Sequence, residues 1–168
     1  MVRFIVAALA LTLSMGALAV DGYKDLKFNM SRADVIKSKL CSFKVDETDS
    51  WQCNNLKFGN KNTIAFAYFI GDRLKRVAIL IDVDSIMGVA TGLMEKYGPV
   101  SSMSEQEEWN AVDTTNGAEA YMRFDNDSII IKVTKHETFG QVAMLIYTTP
   151  DYQALVRERQ GAAVADDL

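Results

Sequence analysis

Histidine, cysteine and proline are scarce in this chain, and each scarcity narrows what it can do. The 168 residues include one histidine, two cysteines and two prolines. Any Ser-His-Asp or Cys-His arrangement would therefore have to pass through His136. Nothing near Lys135-His136-Glu137 stands at zinc-ligand spacing, so His136 reads as a solvated loop residue. No glycine-rich phosphate loop occurs. There is no basic stripe: 18 Lys and Arg are interspersed with 22 Asp and Glu, for a formal net charge of −4. Nucleic-acid binding thus has no electrostatic footprint. After residue 19 no stretch approaches the roughly 18 unbroken apolar residues of a membrane span, so the remainder is expected not to cross a membrane. No cofactor, metal site or catalytic group is expected, and the chain reads as a non-enzyme.

What is present begins with an export signal. Arg3 supplies a positive lead, Phe4 to Leu13 an apolar run, and Ala17-Leu18-Ala19 a small-x-small cleavage site. The expectation is a signal peptide over 1–19, cleavage near Ala19, and a periplasmic or secreted product starting at Val20. Loss of Arg3 takes the formal charge from −4 to −5, one basic residue fewer. No cysteine near the cleavage site could take a bacterial lipid anchor. In an exported chain two cysteines most often pair, so Cys41 and Cys53 are read as a disulfide, the alternative being two buried free thiols.

Residues 20–160 form one domain-sized unit, with 161–168 expected as an unstructured tail. Ser31 is a natural N-cap, with Asp34 three residues on and a Met30/Val35 staple, and opens a helix to about Leu40. From Trp51 the apolar period becomes two, over Trp51–Phe58, Thr63–Ile70 and Leu74–Val83, with Gly71-Asp72 as a two-residue hairpin turn. A simple hairpin there pairs Phe66 with Val77 and puts Phe69, Leu74, Arg76 and Leu80 on the outer side. Ile86, Val89, Ala90, Leu93, Met94 and Tyr97 make an amphipathic helix stopped by Gly98-Pro99. Strands are then expected at about 107–112, 118–124, 128–134 and 141–148, and a last helix from Thr149-Pro150 to about Gln160. Trp51 and Trp109 would each lie on the strand following a helix, hinting at a tandem repeat with halves 20–83 and 84–160. The fold class is α+β: antiparallel sheet with helices packed on one face.

The stretch Phe28-Asn29-Met30-Ser31 through Val35 resembles the F-G-M-(S/T)-x-x-x-V opening of BamE-type outer-membrane-assembly proteins and secreted β-lactamase inhibitor proteins. Asn29 stands where that opening has glycine. In the inhibitor proteins the opening is followed by two bonded cysteines spaced much like Cys41 and Cys53. The resemblance implies helices on a four-stranded antiparallel sheet, repeated, and action by binding other proteins.

Acidic groupings have plainer readings than chemistry. Asp82-Val83-Asp84 and Asp125-Asn126-Asp127-Ser128 do not continue into a calcium loop and read as helix-start and turn residues. Glu105, Glu107 and Glu108 beside Trp109 are the only hint of a paired-carboxylate hydrolase, and read as a solvated strand edge. The feature that survives is the outer sheet face, where Phe69, Leu74, Arg76, Tyr121, Arg123 and Lys132, with Leu80, Ile130 and Tyr147, form a patch suited to protein binding. The alternative is that the last helix or the other half of the chain covers this face as ordinary core. The expected function is an inhibitor- or immunity-like module with an exported or envelope protein as partner, the alternative being an envelope or outer-membrane assembly accessory.

Overall fold

The Ser31 cap forms as its chemistry demands. In the computed structural model, which describes residues 20–166, its hydroxyl oxygen accepts the Asp34 N–H at 3.2 Å and its O–H donates to the Asp34 carboxylate at 2.7 Å. The expected signal peptide lies outside the described residues. Helix α1 runs Arg32–Lys37, shorter than expected, because Lys39 turns the chain left-handed at φ 53°. Arg32 is no outward charge. Its guanidinium donates to the carbonyls of Gly71 at 2.5 Å and Thr48 at 2.9 Å and lies 4.6 Å over the Phe69 ring. Ahead of α1, Gly22–Tyr23 (β1) and Leu26–Lys27 (β2) form a small hairpin.

Eight further strands make one antiparallel sheet: β3 (Lys44–Glu47), β4 (Ser50–Phe58), β5 (Lys61–Ile70), β6 (Arg73–Ile81), β7 (Ser102–Met103), β8 (Glu119–Phe124), β9 (Ile129–His136) and β10 (Gly140–Thr148). Their spatial order is β3-β4-β5-β6-β10-β9-β8-β7. Two four-stranded meanders therefore meet where β6 pairs with β10. Cys41 and Cys53 are bonded, tying the chain after α1 to β4, and both are buried.

The Gly71-Asp72 turn holds Ile70 opposite Arg73 as expected, with Gly71 at φ 59°. One residue later the register departs from a simple hairpin. Phe69 pairs with Leu74, but Tyr68 pairs with Arg76, so Lys75 is bulged out of β6. Because side chains alternate with period two, that one extra residue reverses which set on β5 shares a face with Val77 and Ile79. Ala65, Ala67, Phe69 and Leu74 become core, Phe69 at 1% and Leu74 at 0% exposed. Phe66 opposes Ala78 on the outer face instead of Val77. The second hairpin keeps its expected register: Phe124/Ile129, Met122/Ile131 and Ala120/Val133 are paired and buried.

Helix α2 (Ile86–Tyr97) follows a 3₁₀ turn, Val83–Ser85, and buries Ile86, Ala90 and Leu93. Gly88 and Gly92 face open space. The segment expected as a strand around Trp109 is a helix, α3 (Gln106–Thr114). Trp109 and Val112 lie three apart on its inner side, and the Glu105 N–H donates to the Glu108 carboxylate at 3.0 Å, closing its first turn. The proposed parallel between the two tryptophans therefore fails. Helices α1, α2 and α3 contribute Val35, Ala90, Leu93 and Val112 to one core shared by both meanders. Helix α4 (Tyr152–Asp166) runs on past Gln160, taking in most of the expected tail.

Two stability measurements follow. Phe69→Ala should cost about 3–5 kcal/mol in denaturant unfolding, and Phe66→Ala less than half of that, the reverse of a hairpin without the bulge. Replacing both cysteines by serine should cost roughly 3 kcal/mol, since the bond closes a short loop, one of 12 residues' separation.

Candidate functional site

The outer face of the sheet is apolar in its middle and cationic at its margins. Strand alternation brings Phe66 and Tyr68 of β5, Arg76, Ala78 and Leu80 of β6, Val142, Met144 and Ile146 of β10, Ile130, Lys132 and Thr134 of β9, and Tyr121 and Arg123 of β8 to this side. Of the residues expected here, Arg76, Tyr121, Arg123 and Lys132 are on it, each partly exposed. Leu80 and Ile130 join them. Phe69 and Leu74 do not: the Lys75 bulge turns both into the core. Tyr147 is also core, its ring tilted against that of Tyr23 at 5.1 Å, and burial pushes its phenol well above the usual tyrosine range.

Helix α4 covers one end of this face only. Tyr152 packs edge-on to Tyr68 at 6.4 Å and lies under the Arg76 guanidinium at 3.9 Å. Lys75, bulged out of β6, pairs with Asp151 at 2.9 Å, and Arg159 pairs with Asp49 at 2.7 Å. The Asp151 carboxyl is held below its ordinary value by the Thr149 side chain near it and by Lys75, which donates to it at 2.9 Å. These contacts seat the helix beside the β4–β5 end and leave the rest of the face open.

In the open part lies a depression of about 340 Å³. Its floor is Ala78, Val142, Met144 and Ile146, and its rim carries Arg76, Lys132 and His136, with no carboxylate in the lining. Arg76 stands opposite Thr148 and His136 opposite Gly140, the two ends of β10. The trough is thus about 25 Å long at the rise of an antiparallel strand. Arg76 donates from Nε to Thr148 Oγ1 at 3.2 Å, and among the described residues no carboxylate pairs with it. Burial lowers its pKa from the ordinary arginine value, and the neighbouring Tyr152 and Tyr68 oppose the shift. It remains a cation, partly stripped of water, with most of its donors uncommitted. Lys132 is paired to Glu119 of β8 at 2.6 Å. Arg123 lies 4.2 Å over the Tyr121 ring and 3.4 Å from Asp127.

The acidic groupings have structural positions. Asp82 pairs with Lys61 at 2.5 Å, and Glu107 and Glu108 sit exposed on the first turn of α3. His136 ends β9, its ring tilted against that of Phe139 at 4.8 Å and its Nδ1 accepting the Thr138 N–H at 3.1 Å. Among the described residues no three His, Cys, Asp or Glu side chains are grouped to hold a metal ion, and no helix is long and apolar enough to cross a membrane. Sequence reasoning missed Tyr68, Met144, Ile146 and Tyr152. Gly140–Thr148 is apolar on both faces, so its alternation carried no signal, and the position of Tyr152 depends on where α4 lands.

Comparison with known proteins places the chain in a family. The model of a family described as "Uncharacterised protein" matches residues 23–167. A protein of Haemophilus influenzae, also described as uncharacterized, is 35% identical over 159 residues, spanning 94% of this chain and 92% of the relative. No solved structure matches. The match reaches from the β1–β2 hairpin through α4, so the chain belongs to this uncharacterised protein family over the whole fold described above.

Proposed function

We propose that this chain is an exported, non-enzymatic module that binds another envelope or exported protein through its outer sheet face, as an inhibitor or immunity factor does. The observation that carries the reading is the trough on that face. It combines an apolar floor with aromatic and arginine side chains at its rim, the residue mixture of protein-binding surfaces. Its length of about 25 Å suits an extended segment of roughly eight residues better than a small molecule. Arg76 names the chemistry expected of the occupant. A half-buried guanidinium without a carboxylate costs desolvation and is offset when a partner supplies one.

Export rests on the residue pattern of 1–19, and the Cys41–Cys53 bond supports it, because such bonds persist in oxidising compartments. Asn29 adopts φ 66°, the left-handed conformation for which glycine is the default residue. This supports the likeness of the α1 opening to BamE-type and β-lactamase inhibitor proteins, where glycine holds that place. An assembly accessory would use the same face, and recovery of an outer-membrane complex with the mature protein would favour that reading over inhibition.

The test is affinity for the partner recovered with the mature protein from envelope extract, measured with purified components. Tyr121→Ala and Arg123→Ala should each weaken binding about tenfold with little change in Tm. Arg76→Gln should do the same, Arg76→Lys should restore part of the loss, and the Tm of Arg76→Gln should change little, because removal of an unpaired, desolvated charge offsets loss of the contact with Tyr152. A large fall in Tm, or unchanged affinity in all of these variants, would return the face to a structural role.

A further inference from the structure

The Val20 nitrogen lies 2.6 Å from Oδ2 of Asp125, across 105 positions of sequence. Asp125 is 8% exposed and sits in the β8–β9 turn at φ 49°. Among the described residues no Lys, Arg or His pairs with it, and the Val20 nitrogen is the one donor its carboxylate receives. The other carboxylate of this turn, Asp127, is satisfied by Arg123 at 3.4 Å and by the Ser101 hydroxyl at 2.9 Å. Aspartates are rarely buried without a cation, since removing a carboxylate from water costs several kcal/mol and one neutral N–H offsets only part of that.

The chain before the sheet is held so that this nitrogen arrives where it does. The Asp21 carbonyl accepts the Phe28 N–H at 2.7 Å, and Tyr23 packs against Tyr147 in the core. Gly22 passes so close to Leu26 that a Cβ there would stand 2.0 Å from the Leu26 carbonyl oxygen. The Val20 side chain itself packs against the core cluster. Position 20 is thus fixed from both sides of the small hairpin.

Val20 is also the residue that follows the Ala17-Leu18-Ala19 cleavage signature. We infer that cleavage of the Ala19–Val20 bond creates an ammonium group for which Asp125 is the built receptor, so that processing and completion of the fold are one event. In that hydrolysis, by a peptidase of the export machinery, water gives its hydroxyl to the Ala19 carbonyl carbon and one proton to the Val20 nitrogen, and the new Ala19 carboxyl releases a second proton that the amine takes up at neutral pH. The amide N–H becomes a charged group, and the neutral hydrogen bond to Asp125 becomes an ion pair. Chains still carrying residue 19 have the neutral bond only, so the mature product is the better-folded species. Two independent lines meet on the same bond: a sequence signature read along the chain, and a buried acid contributed from the opposite half of the fold.

Intact-mass analysis of the exported protein should give a product beginning at Val20. A product beginning at any other residue overturns the proposal. Chains starting at Val20 and at Ala19, released from a cleavable tag, should differ in Tm by about 3–6 °C in favour of Val20. Asp125→Asn, which retains a side chain at ease with left-handed φ, should lower the Tm of the Val20 chain by a similar amount and leave the Ala19 chain nearly unchanged. Equal Tm values for the two starts, or additive effects of extension and Asp125→Asn, would overturn it. If Asp125→Asn fails to fold, acetylating the α-amine of the Val20 chain takes its place and should lower Tm to that of the Ala19 chain. An unchanged Tm after acetylation would again overturn it.

Discussion

The run of pairs between β6 and β10, from Arg76 opposite Thr148 to Ile81 opposite Ala143, is the contact on which the rest of the molecule depends. It joins the two meanders edge to edge and removes what would otherwise be two exposed central edges. Because the join is antiparallel and in register, inward positions of both halves continue each other. Val77 and Ile79 of β6 and Leu145 and Tyr147 of β10 belong to one core with Ile131 and Val133 of β9. The outer positions continue each other as well. The trough exists because Ala78 and Ile146 are neighbours across that join. A chain of either half alone would have half a floor and only part of the cationic rim.

The inner and outer faces have different fates for a reason of supply. Three helices offer apolar residues to the inner face, and the core there is closed. Among the described residues the outer face receives only α4, seated by Lys75–Asp151, Arg159–Asp49 and the contacts of Tyr152 with the Tyr68 edge and the Arg76 guanidinium. The bulge has two consequences here. It sends Phe69 and Leu74 inward, and it frees Lys75 to reach the start of α4. One irregularity in β6 thus decides both what the core contains and where the last helix is tethered.

Arg32 plays a comparable part at the same end of the sheet, where Asp49 lies near both it and Arg159. From the first turn of α1 it reaches the Gly71 and Thr48 carbonyls and covers the Phe69 ring, with Asp49 and Asp72 3.6 and 3.7 Å away. It binds the short helix to the hairpin tip, while the Cys41–Cys53 bond holds the chain just beyond the helix. A six-residue helix has little stability of its own. Its place in the fold is set from outside by that guanidinium and that covalent bond.

Much of this architecture was legible along the chain. The α+β class, the Ser31 cap, the α2 stripe, the Gly71-Asp72 turn, the β8–β9 register and the cysteine pair all rest on contacts within a few residues, or on a pairing with no competitor. Two of the expectations that failed did so where the local signal was ambiguous. Residues 107–112 show apolar positions at a spacing a short strand or a short helix can use, and the Glu105–Glu108 capping contact decides for the helix. Lys75 has nothing in its identity that announces a bulge, yet it reverses the face assignment of β5. The tertiary structure alone decided where α4 lies, that Arg76 has no carboxylate partner among the described residues, and that Asp125 meets Val20. The physical reason is common to all three. Periodicity and caps are properties of neighbours along the chain, whereas burial, charge pairing and register are properties of groups brought together from distant positions, and they exist only after the sheet has closed.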